Sequence, residues 1–160
     1  MDKSIRLAAF TDQTKYINWW LDEETTAHMV HGPWMSESNE AYVKKVINSN
    51  NLVAYEILWG EGHVGNCSLT INWERRSAEL GIVLWKNRGL GIGTKAVKEL
   101  LSIGFNDLNL HRIWLGVFKS NENAIRCYRK CGFDIYGEEK EALWKEGKWV
   151  NRVLMEILNK

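Results

Sequence analysis

Seven consecutive residues, Arg88-Gly89-Leu90-Gly91-Ile92-Gly93-Thr94, place a glycine at every second position. Inside a helix each glycine costs about 1 kcal/mol relative to alanine, and a tight strand-to-helix turn needs one or two of them, not three. What the extra glycines supply is close approach of main-chain N–H groups to a ligand. At the start of a helix those donors, together with the helix dipole, make a site for phosphate. Two phosphate-binding patterns are not met. G-x-x-x-x-G-K-[ST] fails because no glycine stands five before Gly93 and Thr94 precedes Lys95. G-x-G-x-x-G fails because Thr94 or Ala96 replaces its last glycine.

A second cluster follows: Asn121-Glu122-Asn123-Ala124-Ile125-Arg126-Cys127-Tyr128-Arg129-Lys130-Cys131-Gly132-Phe133. Asn121 suits a helix N-cap, and Tyr128 falls one turn after Ala124, where an amphipathic ring packs well. Cys127 and Cys131 are four apart on one helix face, with buried packing as the default. Glu79 stands in the apolar run Ala78-Glu79-Leu80-Gly81, where a carboxylate needs a partner, exposure or a task. Arg75 and Arg76 are candidate ion-pair partners for it. His28, His31, His63 and His111 share no ligand-like spacing with carboxylates or cysteines, so no metal is expected. Asp22-Glu23-Glu24 reads as a solvated helix end or a cation-binding patch. Asn66-Cys67-Ser68 matches a glycosylation sequon but falls inside an expected strand, and is set aside.

The elements that position these residues are legible in the pattern. Ile5 to Phe10 is a short apolar strand. Thr11 or Asp12 then caps a helix with Tyr16, Ile17, Trp20 and Leu21 on one face, and Asp22 to Pro33 carries no strong period. Ser36 or Ser38 caps a second helix, with Tyr42, Val43, Val46 and Ile47 at helical spacing. Leu52 to Trp59 and His63 to Ile71 flank Gly60-Glu61-Gly62 as a hairpin, and Ala78 to Trp85 is a third strand. From Thr94 the period changes. Val97, Leu100, Leu101, Gly104, Phe105 and Leu108 recur as one apolar helical stripe. Arg112 to Phe118 is a strand and Asn121 to Lys130 a helix. Phe133 to Ala142 and Lys148 to Leu158 form a closing hairpin around Glu146-Gly147. The order implies a mixed α/β sheet with helices on both faces.

In that context the two clusters resemble the GNAT superfamily of acetyl-CoA-dependent N-acetyltransferases. The family's pyrophosphate turn, [RQ]-x-x-G-x-[GA], is matched by Arg88, Gly91 and Gly93. Its following unit, roughly N-x-x-A-x-x-x-Y-x-K-x-G-F, is matched by Asn121, Ala124, Tyr128, Lys130, Gly132 and Phe133. Gly137, Glu138, Gly147, Lys148, Trp149, Asn151 and Met155 look like the branch holding ribosomal-protein N-terminal and spermidine acetyltransferases. The resemblance implies a mostly antiparallel sheet of about seven strands, splayed at an acetyl-CoA cleft. It further implies that Ile82, Val83 and Leu84 offer main-chain groups to the pantetheine arm, one N–H polarising the thioester carbonyl. Gly89, Leu90, Gly91, Ile92, Gly93 and Thr94, with Arg88, would hold the pyrophosphate. Asn121 would bind the arm from the other side. Tyr128, with an ordinary phenol pKa near 10, would protonate the departing thiolate.

An amine acceptor with pKa near 10 must lose a proton to react. In several members of the superfamily a glutamate on the strand after the main helix takes it; here Gly116 stands at that position, which leaves Glu79. The acceptor segments, 22–39 and 142–150, hold Trp34, Trp144 and Trp149, with Trp20 nearby, and do not name the amine. Protein N-termini, polyamines, aminoglycosides and amino sugars all remain open.

Composition bounds the rest. The chain has 160 residues, 45% hydrophobic and 26% charged, and its 21 basic against 20 acidic side chains give a net charge of +1. One domain spanning 1–160 is expected, without a nucleic-acid footprint, a membrane span of roughly 18 apolar residues or a secretory leader. Three cysteines do not make a disulfide scaffold. A cytoplasmic enzyme working with acetyl-CoA and an amine, with a homodimer possible, is the reading. The rival of another class is a non-catalytic acyl-CoA-binding module, which could dispense with Tyr128. A nucleotide-binding α/β domain is the third.

Overall fold

The computed structural model describes residues 4–11 and 39–160. The expected helix with Tyr16, Ile17, Trp20 and Leu21, its Asp12 cap, and the Ser36 and Ser38 caps lie outside the described residues. So do Trp19, Trp34, His28, His31, Asp22-Glu23-Glu24 and the side chain of Tyr42. Along the chain run β1 (Ile5–Ala9), α1 (Asn39–Ile47), β2 (Leu52–Trp59), β3 (Gly62–Asn72), β4 (Ser77–Leu84) and α2 (Ile92–Ser102). Then follow β5 (Arg112–Phe118), α3 (Glu122–Lys130), β6 (Asp134–Lys145) and β7 (Lys148–Leu158).

One mixed sheet of seven strands results, in the order β1-β2-β3-β4-β5-β7-β6. Short turns join β2, β3, β4 and, later, β6 and β7, so these neighbours run antiparallel. The connection from β4 to β5 passes through α2, and this pair alone is parallel. The strand period of two divides side chains between two faces. Ala78 and Leu80, with Leu69, Ile71, Ile113, Leu115 and Met155, point to the face where α2 buries Ala96, Val97 and Leu100 in the same cluster. Glu79, Gly81 and Val83 point to the other face, beside Thr70, Ser68 and Asn66 of β3. There α1 lies against β2 with Val43 and Val46 buried outside the main cluster.

Two details differ from the expected pattern. Ile47, placed on the apolar stripe of α1, is 46% exposed at the helix end. The stripe after Thr94 is α-helical only to Ser102 and continues as a π-helical turn at Ile103–Asp107. Within that turn a Cβ on Gly104 would stand 2.6 Å from Ile113 Cδ1, so glycine there admits close approach to β5.

Candidate functional site

The β4–β5 pairing ends early. Partners are Ser77↔Arg112, Ala78↔Ile113 and Glu79↔Trp114, although β4 runs to Leu84 and β5 to Phe118. Beyond Glu79 and Trp114 each strand keeps only its outer neighbour: Leu84 pairs with Gly65 of β3, and Phe118 with Arg152 of β7. The sheet therefore forks. The Trp85 N–H donates to Val64 O at 3.0 Å, which fixes the phase of the β3–β4 ladder. Odd-numbered residues of β4 bond to β3; of the even ones, the Leu80 N–H closes the β4–β5 ladder on Trp114 O, and Ile82 and Leu84 turn their N–H and C=O groups into the fork. This corrects the expectation for Val83, whose main chain faces β3. The Arg88 Nε donates to Leu84 O at 2.9 Å, so it ties the turn to the strand end.

Past the fork the chain turns through Gly89 (φ +79°) and Gly91 (φ +76°), in the left-handed region that glycine tolerates. A Cβ at either position would meet nothing within 4 Å, so the turn is open on that side. The α2 ladder begins with Lys95 N–H to Gly91 O at 3.1 Å. The amides of Ile92, Gly93 and Thr94 precede it, with no side-chain cap and no acidic residue in the first turn. Such an arrangement fits a diphosphate. Ile92 brings only its amide, because its side chain is buried, and Leu90 is 58% exposed.

Opposite α2 stands α3. Asn121 Oδ1 accepts the Ala124 N–H at 3.2 Å, so the residue expected to hold the arm is the N-cap of this helix. The Tyr128 ring meets Phe133 edge-on at 5.8 Å, against the main core. Burial, then the neighbouring Cys127 and Cys131, push its phenol well above the usual value, so it holds its proton throughout the physiological range. The two cysteines, expected as packing, both reach the donor turn. Cys127 Sγ lies 3.2 Å from Thr94 Oγ1, and Cys131 Sγ donates to Thr94 O at 3.6 Å. Their i, i+4 spacing beside a Thr on the Gly-rich turn was the available signal.

On the opposite face, Glu79 sits at the vertex of the fork and lines a cavity of about 360 Å³ with Thr70, Arg75, Arg112, Trp114 and Tyr136. Arg112 is committed there. Its Nε lies 2.5 Å from Glu156 Oε2, and its guanidinium stacks 5.0 Å from the Tyr136 ring. Arg76, an expected partner of Glu79, instead bonds Asn109 O and Oδ1 at 2.8 and 2.7 Å. No ion pair or hydrogen bond to the Glu79 carboxylate forms among the described residues. Farther along this face Asn66 is buried, with Oδ1 2.7 Å from His63 Nε2 and its Nδ2 without a partner. Across the fork, Arg152 fills the space over Gly116: a Cβ there would stand 2.6 Å from its Nε, which pairs with Glu139 at 2.7 Å. Sequence reasoning missed this arginine, for which a glycine inside a strand was the signal. Among the described residues no His, Cys, Asp or Glu cluster suits a metal, and no helix is long and apolar enough to cross a membrane.

Comparison with known proteins agrees with this geometry. The family model described as an acetyltransferase (GNAT) domain matches residues 4–134. The chain is 32% identical over 130 residues to a spermidine N(1)-acetyltransferase of Escherichia coli K12, covering 76% of this chain and 70% of that one. It is 26% identical over 144 residues to an aminoglycoside N(6')-acetyltransferase type 1 of Klebsiella pneumoniae, covering 82% and 69%. Its fold is similar to that of a spermidine N-acetyltransferase from Vibrio cholerae, crystallised with CoA and spermine. That likeness has a TM-score of 0.82 at 24% identity, over 96% of this chain and 95% of the other.

Proposed function

We propose a polyamine as the acceptor, from one premise: this chain belongs to the GNAT acetyltransferase family and is an acetyl-CoA-dependent N-acetyltransferase. The observation that carries the proposal is the Glu79 carboxylate at the vertex of the fork, without an ion pair or hydrogen bond among the described residues, in a cavity that Trp114 and Tyr136 also line. An ammonium group entering there meets the Glu79 carboxylate, which favours a cation. Of the two arginines that line the cavity, Arg112 is already paired with Glu156. The named activity of the E. coli relative supports the same substrate class.

The residues divide the work by position. The amides of Ile92, Gly93 and Thr94 hold the donor's diphosphate at the open turn. The thioester supplies the activated acetyl group. Its arm lies in the fork, where the Ile82 and Leu84 N–H groups point, and one of them stabilises charge growing on the carbonyl oxygen. Glu79 takes the proton of the attacking amine, directly or through one water. Tyr128 comes from the other face of the sheet and gives a hydrogen bond, then a proton, to the leaving sulfur. Its raised pKa makes it a weaker acid than a free phenol, but a thiolate desolvated in the same cleft is a stronger base. Asn121 acts by capping α3 and so fixing where Tyr128 stands.

The reading places the work in the cytoplasm and offers the β6 edge, where Ile135 and Trp144 are exposed, as the surface through which a homodimer would form. The deciding test is an amine panel read by free-thiol release. Spermidine and spermine are expected to give kcat/KM at least about tenfold above aminoglycosides and free amino acids. A non-polyamine as best acceptor overturns the substrate class; Glu79→Gln with unchanged turnover overturns the base.

A further inference from the structure

Cys127 and Cys131 close the last turn of α3, and both sulfurs contact a single residue of the donor turn, Thr94, one at its hydroxyl and the other at its carbonyl. Gly93 is part of the same contact, since a Cβ added to it would lie 4.0 Å from Cys127 Sγ. Neither cysteine is buried to the degree of Cys67, which is 2% exposed and whose thiol burial pushes up to about 12. Thiolate character, which governs attack on oxidants, is favoured at Cys127: its neighbour Cys131, then Thr94 and the nearby Lys130 charge, draw its pKa below the usual thiol value. Cys131 is drawn the opposite way by Cys127. One sulfur is set to attack and its neighbour to resolve.

We propose that Cys127 and Cys131 are a dithiol modification site on the donor turn, converted by hydrogen peroxide to a disulfide that weakens acetyl-CoA binding. In the first step the Cys127 sulfur attacks one peroxide oxygen. The S–O bond forms, the O–O bond breaks, and hydroxide leaves and is protonated to water. In the second, the Cys131 sulfur attacks the sulfenic sulfur; the S–S bond forms, the S–O bond breaks, and the thiol proton leaves with the hydroxide as water. Two thiols are oxidised by two electrons and one peroxide becomes two waters. Residues four apart on a helix have Cβ atoms roughly 5–6 Å apart, while a disulfide needs about 3.5–4.5 Å. The turn must therefore tighten. Cys131 is the C-cap and Gly132 follows at φ +99°, so the movement falls at a helix end. Closing the bridge withdraws both sulfurs from Thr94, and the donor turn loses its packing partner.

The inference rests on the reading of Gly89–Thr94 as the donor site, so acetyl-CoA binding by the reduced protein is measured first; if it is absent, that reading fails and not the dithiol chemistry. The intact protein is then treated with hydrogen peroxide, alkylated under denaturing conditions and mapped by mass. The expected result is a Cys127–Cys131 peptide lighter by two hydrogens, Cys67 still alkylatable, an acetyl-CoA Kd raised at least about fivefold through the lost contacts, and recovery with dithiothreitol. Cys131→Ser, compared with its own untreated affinity, should stop at a dimedone-reactive sulfenic acid on Cys127 and show no peroxide-dependent rise in Kd. Full alkylation of both cysteines after peroxide overturns the proposal, as does a mapped disulfide with unchanged Kd. Equal loss of affinity in oxidised Cys131→Ser overturns it too, because the bridge would then not be the device.

Discussion

Tyr128 packs on the face of the sheet that carries the main core and Glu79 points to the other, so the proposed acid and base would approach the fork from opposite sides. The phenol is held by an edge contact to Phe133 and by its helix, neither of which needs the hydroxyl. Tyr128→Phe should thus keep the fold and the acetyl-CoA KM within about twofold, while kcat falls about 100-fold, the low end for a lost acid–base group. Steady-state kinetics checks the split; a KM effect without a kcat effect would reduce the hydroxyl to packing. Cys127 gives a prediction of another kind. Its pKa is lowered on folding, so its contribution to stability is complete above the ordinary thiol value, near 8.5, and is lost as pH falls through the folded one. Urea midpoints should therefore rise with pH across that window in the native chain and rise less in Cys127→Ser.

At the scale of elements, Gly65 and Gly91 test what frames the fork. A Cβ on Gly65 would stand 2.3 Å from the Val83 carbonyl oxygen, which is main chain and cannot swing aside. Gly65→Ala must displace β4, and a loss of about 1–3 kcal/mol with weaker acetyl-CoA binding is expected in denaturant and ligand titrations. Gly91→Ala meets no atom, yet its φ of +76° should cost about 1–2 kcal/mol by itself. The strands, the helix start at Gly91 and the cap at Asn121 were legible because local chemistry specifies them: period two, glycines at a turn, an asparagine before a helix. The fork was reached only through family resemblance, since its ladder phase depends on which β3 carbonyl Trp85 meets. The π-helical turn was hidden because Gly104 and Phe105 fit an α-helical stripe equally well, and only the approach of Ile113 decides between them. Arg152 over Gly116 is a contact between strands far apart in sequence, which no local pattern encodes.

Taken whole, the sheet consists of two antiparallel blocks, β1 to β4 and β5 to β7, joined across the middle by three residue pairs at the closed end of the fork. An acetyl donor lying in that fork would bridge main chain of both blocks and also bind the start of α2. Its binding should consequently stabilise the whole molecule and not only a loop. At 100 times Kd a ligand adds about 2.7 kcal/mol, which for a chain of this size raises Tm by roughly 5–10 °C. NAD and ATP, which share the diphosphate but carry no pantetheine arm to fill the fork, should give much smaller shifts. Hydrogen exchange locates the effect. The amides of Ile82 and Leu84 face the fork and should become protected on acetyl-CoA binding, whereas those of Leu80, bonded to β5, and of Gly81 and Val83, bonded to β3, should change little. Protection that ignores this alternation, or a larger shift from NAD or ATP, would mean that the arm does not lie between β4 and β5.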